Sequence, residues 1–158
     1  MFLAGQLDAV SLVDPFLHQL ERAGKGHAIF TSREIPGLIA DVLVVRRDLE
    51  TVCPGATQAV VDGYFQALAF WRSHDEEATS LMAKSCGLGP DEFRQVQQGL
   101  LMAGRTENED AFGLNRAPGS LIGAIGAWEK ILGESGESSQ SGRLASFLDS
   151  RFVKAAAP

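Results

Sequence analysis

Residues 39–45, IADVLVV, constrain what this chain can fold into more than any other stretch. Branched Cβ atoms favour extended backbone, and the run is bounded by REIPG before it and RRD after it, so it reads as a β-strand. A strand apolar on both faces belongs inside a sheet, with neighbours on either side. Two weaker candidates precede it, 8–13 (DAVSLV) and 27–31 (HAIFT). The chain thus offers at most three strands to a sheet. Any edge left open presents unpaired N–H and C=O groups that invite another chain.

The remaining signals are helical. Phe16, Leu17 and Leu20 share one side of a helix that follows Asp14-Pro15 and ends at Gly24-Lys25-Gly26. Pro54 suits a first helical position, and Val60, Val61, Tyr64, Phe65, Leu68 and Trp71 give that helix a broad apolar face. Ser73 to Glu76 has the capping-box pattern of a second helix, which Gly87 ends. Pro90-Asp91-Glu92 opens a third, with Phe93, Val96 and Leu100. Leu121, Ile122, Ile125, Trp128 and Leu132 mark a fourth, in which Gly123 and Gly126 either weaken the helix or permit close packing. GESGESSQSG from Gly133 is a polar loop, and Leu144, Phe147 and Leu148 suit a last short helix. The expected fold is therefore α+β and predominantly helical. A small sheet of two or three strands (8–13, 27–31, 39–45) precedes four or five helices, in a single domain over 1–158 divided into 1–50 and 54–158.

At 158 residues the chain fits one domain, and a domain of that size buries roughly 68–70% of its unfolded surface. Hydrophobic residues make up 45% and charged residues 22%, outside the disordered regime. The formal charge of −6, with Lys and Arg dispersed, argues against nucleic acid as a partner. No apolar run approaches the ~20 residues of a membrane span. The chain as given also lacks the basic and apolar pattern of an export signal, which by itself points to the cytoplasm.

No catalytic set assembles by spacing. RAGKGHAIFTS lacks the glycine and Lys-Ser/Thr spacing of a phosphate loop and precedes a strand, and there is no G-x-S-x-G elbow. His18, His27 and His74 share no i, i+4 pairing, and Cys53 and Cys86 fit no metal-ligand spacing, so they are either free thiols or a disulfide. Cys53 before Pro54 would feel a helix dipole that favours thiolate. Asp75-Glu76-Glu77 suits the first turn of a helix better than acid-base work. Tyr64, Phe65, Phe70 and Trp71 have the spacing of core residues, with a ligand cleft as the alternative. These residues imply no enzyme, no cofactor and no metal.

Gly5, Asp8, Ala9, Asp14 and Pro15 form a Gly-x-x-Asp-Ala strand leading to an acid-Pro turn. With SREIPGLIADVLVVRRDL, the stretch from CPGATQ to GPDEF, and FLDSRFV, this pattern resembles the nitrate/sulfonate/taurine-type substrate-binding proteins of ABC transporters, including the thiamine-pyrimidine-precursor branch. The resemblance implies part of a periplasmic-binding-protein type 2 fold, in which two α/β lobes enclose a cleft. It places this chain on the C-terminal half: the last strand-helix unit of the second lobe, the return crossover, and a helical part. The first lobe and the export signal of these extracytoplasmic proteins would be missing. Ser11, Asp14 and Pro15 match the strand end and turn that face the cleft, and Thr31, Ser32 and Arg33 match the hinge-side segment. Val13 and Asp14 stand where relatives often have an aromatic residue and Glu. For Asp14 the alternative is a helix N-cap.

The resemblance further implies a small anionic or heterocyclic ligand, with the cleft remodelled at a dimer interface. The alternative is a non-catalytic assembly module that has lost its ligand. Orphan strand and helix surfaces would be covered by a second copy, or by a separate polypeptide that supplies the first lobe.

Overall fold

Helices form where glycine, proline and apolar spacing direct them, and no strand forms among the described residues. The structure is a computed structural model that describes residues 1–14, 16–115, 119–136 and 144–156. Its helices are α1 (Phe16–Arg22), α2 (Leu49–Val52), α3 (Ala56–Ser73), α4 (Asp75–Cys86), α5 (Pro90–Gln97), α6 (Arg105–Ala111), α7 (Ser120–Glu134) and α8 (Arg151–Ala155). Single 3-10 turns occur at Phe2–Ala4, Ser32–Glu34 and Leu144–Phe147.

The expected sheet is overturned: no strand exists among the described residues, so the α+β assignment becomes a helical one and only the helical majority stands. The reason is that strand propensity sets backbone conformation, whereas a sheet needs a second strand within bonding distance. Residues 8–13, 27–31 and 39–45 keep irregular or extended backbone but find no ladder. Their apolar side chains stay in solvent, with Val13 75%, Ile29 83% and Val44 82% exposed.

The chain divides into two compact units, one built on the described residues of Met1–Thr31 and Phe70–Met102, the other on those of Ser32–Ala69 and Ala103–Pro158. In the first unit α4 packs on α5. Gly87 closes α4 in the left-handed conformation, and the N–H of Leu88 reaches back to the Ala83 carbonyl (2.9 Å), so the chain reverses into α5 with Pro90 at its start. Ala78, Thr79 and Ala83 are buried on α4, and buried Trp71 lies 6.3 Å from the Phe93 ring. An exposed Arg94–Asp75 pair (3.4 Å) adds little. The capping box does not form. Ser73 ends α3, donating to the Phe70 carbonyl (3.1 Å), and His74 takes the cap position without its side chain bonding the first amides of α4.

In the second unit α6 contacts α7 and α8, and the buried residues among those described are Thr57, Leu68, Gly104, Gly119, Ala124, Val153 and Ala156. Helix α3 begins at Ala56, two residues after Pro54, because Gly55 is left-handed (φ 81) and cannot continue a helical turn. Gly119, before α7, allows a close backbone approach: a Cβ there would lie 2.3 Å from the Ala111 carbonyl oxygen. The last helix expected at 144–148 is instead a 3-10 turn followed by α8. Of the expected polar loop, Gly133 and Glu134 belong to α7, and residues 137–142 lie outside the described residues.

Arg105 fastens α8. Its guanidinium donates to the Val153 carbonyl (3.2 Å) and to the Ala156 carbonyl, and it sits 5.6 Å from the centre of the Phe65 ring. These bonds satisfy carbonyls that the end of a helix leaves open. Beside α8, hydrogen bonds from Arg151 hold the Asp149 carboxyl below its ordinary range.

Two outcomes follow from this packing. Arg105→Ala removes charged hydrogen bonds and should lower the unfolding free energy by about 2 kcal/mol in urea titration, whereas an unchanged midpoint would mean α8 is held otherwise. Gly123 and Gly126 are exposed, and a Cβ at either meets nothing within 4 Å, which favours the weakening role over close packing. Gly123→Ala and Gly126→Ala should each stabilise the protein by about 0.5–1 kcal/mol, read as a higher melting temperature.

Candidate functional site

Of the six residues singled out by sequence, Ser11, Asp14 and Thr31 belong to the first unit, and Ser32 and Arg33 to the second. Pro15 lies outside the described residues. Ser11 is exposed on the irregular stretch before α1, and Thr31 is half-buried. Ser32 and Arg33 are exposed on the 3-10 turn Ser32–Glu34.

Asp14 has a partner inside the chain. Its Oδ1 is 2.5 Å from Nδ1 of His18, one turn into α1, and both side chains are partly buried. Its Oδ2 lies where a Cβ on Gly99 would come within 2.7 Å, so the carboxylate rests against the backbone after α5. The N-cap alternative is not adopted: the amides of Phe16 and Leu17 both bond to the Val13 carbonyl (3.1 and 3.3 Å). Spacing carried this signal, since Asp14 and His18 are four apart across the start of a helix.

A surface groove in the first unit brings other residues together. Phe2, Leu3, Ala4, Gly5, Leu7, Asp8 and Lys25 line a cavity of about 480 Å³. Gly26 forms its support, because its Cα lets the Phe2 ring and Leu20 approach; a Cβ there would stand 3.1 Å from the Phe2 ring. The lining joins apolar walls to one ammonium and one carboxylate, the mixture small-molecule sites use for orientation. Gly5 and Asp8 belong to the Gly-x-x-Asp-Ala pattern. Lys25 was missed, since only the turn Gly24–Gly26 carries it back beside residues 2–8.

The other chemical candidates have structural uses. His74 stacks on Phe70 (4.6 Å) and bonds Ser73 (2.8 Å). Tyr64 donates to the Ala103 carbonyl (2.8 Å) and packs edge-on to Phe65 (5.4 Å). Cys53 and Cys86 are exposed, free thiols. Among the described residues no group of three or more His, Cys, Asp or Glu is placed to hold a metal ion, and no helix is long and apolar enough to cross a membrane.

A model of the NMT1-like family covers residues 1–87, more than half of the chain. The match takes in 8–13, Asp14, 27–45 and the groove, and leaves FLDSRFV and most of GLGPDEF beyond its end. No curated protein and no solved structure matches.

Proposed function

This chain belongs to the NMT1-like family, and on that premise we propose that its substrate-binding-like domain binds a small anionic or heterocyclic molecule. The observation that carries the reading is the placement of the match: residues 1–87 hold every polar contact the family resemblance implies, Ser11, Asp14, Pro15, Thr31, Ser32 and Arg33, together with the Lys25 groove. Within the first unit Lys25 supplies positive charge for an anion, and Phe2, Leu3 and Leu7 an apolar wall for a ring. The family is a substrate-binding one, which supports a domain that binds without catalysing. Its role is that of a receptor related to ABC transport, with the site completed at a subunit interface.

A second reading, an assembly module without a ligand, draws on the bare apolar segments at 27–31 and 39–45. Ile29 is 83% exposed, Ile39 68% and Val42 60%. Contiguous apolar surface of that kind is one mark of a protein–protein contact.

A thermal-shift screen with sulfonates, nitrate, pyrimidines and small aromatic acids separates the two. Ligand at 100 times its Kd adds about 2.7 kcal/mol to stability, a readily measured rise in melting temperature. The binding reading expects such a rise with at least one compound and its loss in Arg33→Ala or Lys25→Ala. A silent panel would favour the assembly reading.

A further inference from the structure

Residues 39–45 are held at both ends and bare between. At one end the Leu38 carbonyl accepts a hydrogen bond from Trp128 Nε1 on α7 (3.1 Å), and at the other the Arg46 carbonyl accepts the amide of Leu49 where α2 begins (3.1 Å). From Ala40 to Arg46 the backbone runs without a turn or bend. None of the backbone groups of Ile39 to Val45 has a hydrogen-bond partner among the described residues. Such a stretch is a ready template for strand addition. Anchored ends also mean that little ordering remains to be done on pairing.

Charge selects the occupant. Asp41 and Arg47 flank the apolar run, both exposed, and neither has an ion-pair partner among the described residues. Arg46 is already paired with Asp48 (3.3 Å). We propose that 39–47 pairs with the same segment of a second copy of this chain, antiparallel, about a two-fold axis through Val44. The proposal rests on the assembly reading above and gives it a partner and a register.

Symmetry limits the registers available. A two-fold axis between antiparallel strands stands perpendicular to the sheet and keeps each face on its own side, so odd-numbered residues oppose odd-numbered ones. Arg46 therefore cannot oppose Asp41. Centred on Val44, the pairing sets Val44 against its own copy, Leu43 against Val45, and Asp41 against Arg47 at both ends. Centring on Leu43 or Val45 would instead set Asp41 against Val45 or Leu49, leaving its charge unmatched. Opposite charges directly across a pair are favourable and like charges are not, so only the Val44 register is self-complementary.

The test uses the full chain in two parts. In a Cys53→Ser, Cys86→Ser background, Val44→Cys should form a disulfide-linked dimer under mild oxidation, seen on a non-reducing gel, while the equally exposed control Ile29→Cys should not. In light scattering at micromolar concentration, Asp41→Arg and Arg47→Asp should each weaken dimerisation about tenfold by placing like charges together twice. The double variant Asp41→Arg/Arg47→Asp should restore it, with circular dichroism confirming folded helices throughout. A monomer at all concentrations, or a dimer without Val44→Cys crosslinking and without charge-swap rescue, overturns the proposal. The thermal-shift screen does not read dimerisation, so the ligand reading and this register fail separately.

Discussion

A backbone amide can leave water at low cost only if it finds another partner, and the residues between Leu38 and Arg46 have none among the described residues. That single constraint organises the protein. The side chains of Ile39, Val42, Leu43 and Val44 suit a buried strand, yet all four are exposed. Helices satisfy their own backbone groups and so form wherever the sequence permits. A strand cannot, and its fate is decided by what else is within reach.

The same physics explains how far the sequence could be read. The end of α4 at Gly87, the start of α5 at Pro90 and the body of α7 were legible because each depends on local backbone geometry or local apolar spacing. Helix α6 was not: its sequence, RTENEDA, has no apolar stripe. It is held by contacts remote in sequence, from Arg105 to the carbonyls of α8, and by Asn108 bonding the Ala103 and Gly104 carbonyls (3.1 and 2.8 Å). The strands failed in the opposite way. Their branched residues favour strand conformation, but a ladder partner is not a property of the segment that needs it, and no ladder forms among the described residues. Pro54 shows a smaller version, since the left-handed Gly55 beside it moved the helix start.

Of the candidate site, Asp14 was legible as a special residue and its partner was not foreseen. His18 lies one helical turn on, and this local pair takes the carboxylate oxygen that an N-cap or a ligand would use. A ligand approaching here would compete with His18, whereas Lys25 and the apolar wall of the groove lie apart from that pair. Binding and assembly are not exclusive. Family membership supplies the expectation of a ligand within residues 1–87, and the bare stretch within the same range supplies the expectation of a neighbour.

Amide hydrogen exchange at residues 39–45, followed as protein concentration is raised, tests the central claim most directly. The account predicts near-unprotected exchange in dilute protein and protection that grows with concentration, while α3 and α4 exchange slowly at every concentration. Strong protection of 39–45 in dilute, monomeric protein would contradict it, because those amides would then be bonded within the chain.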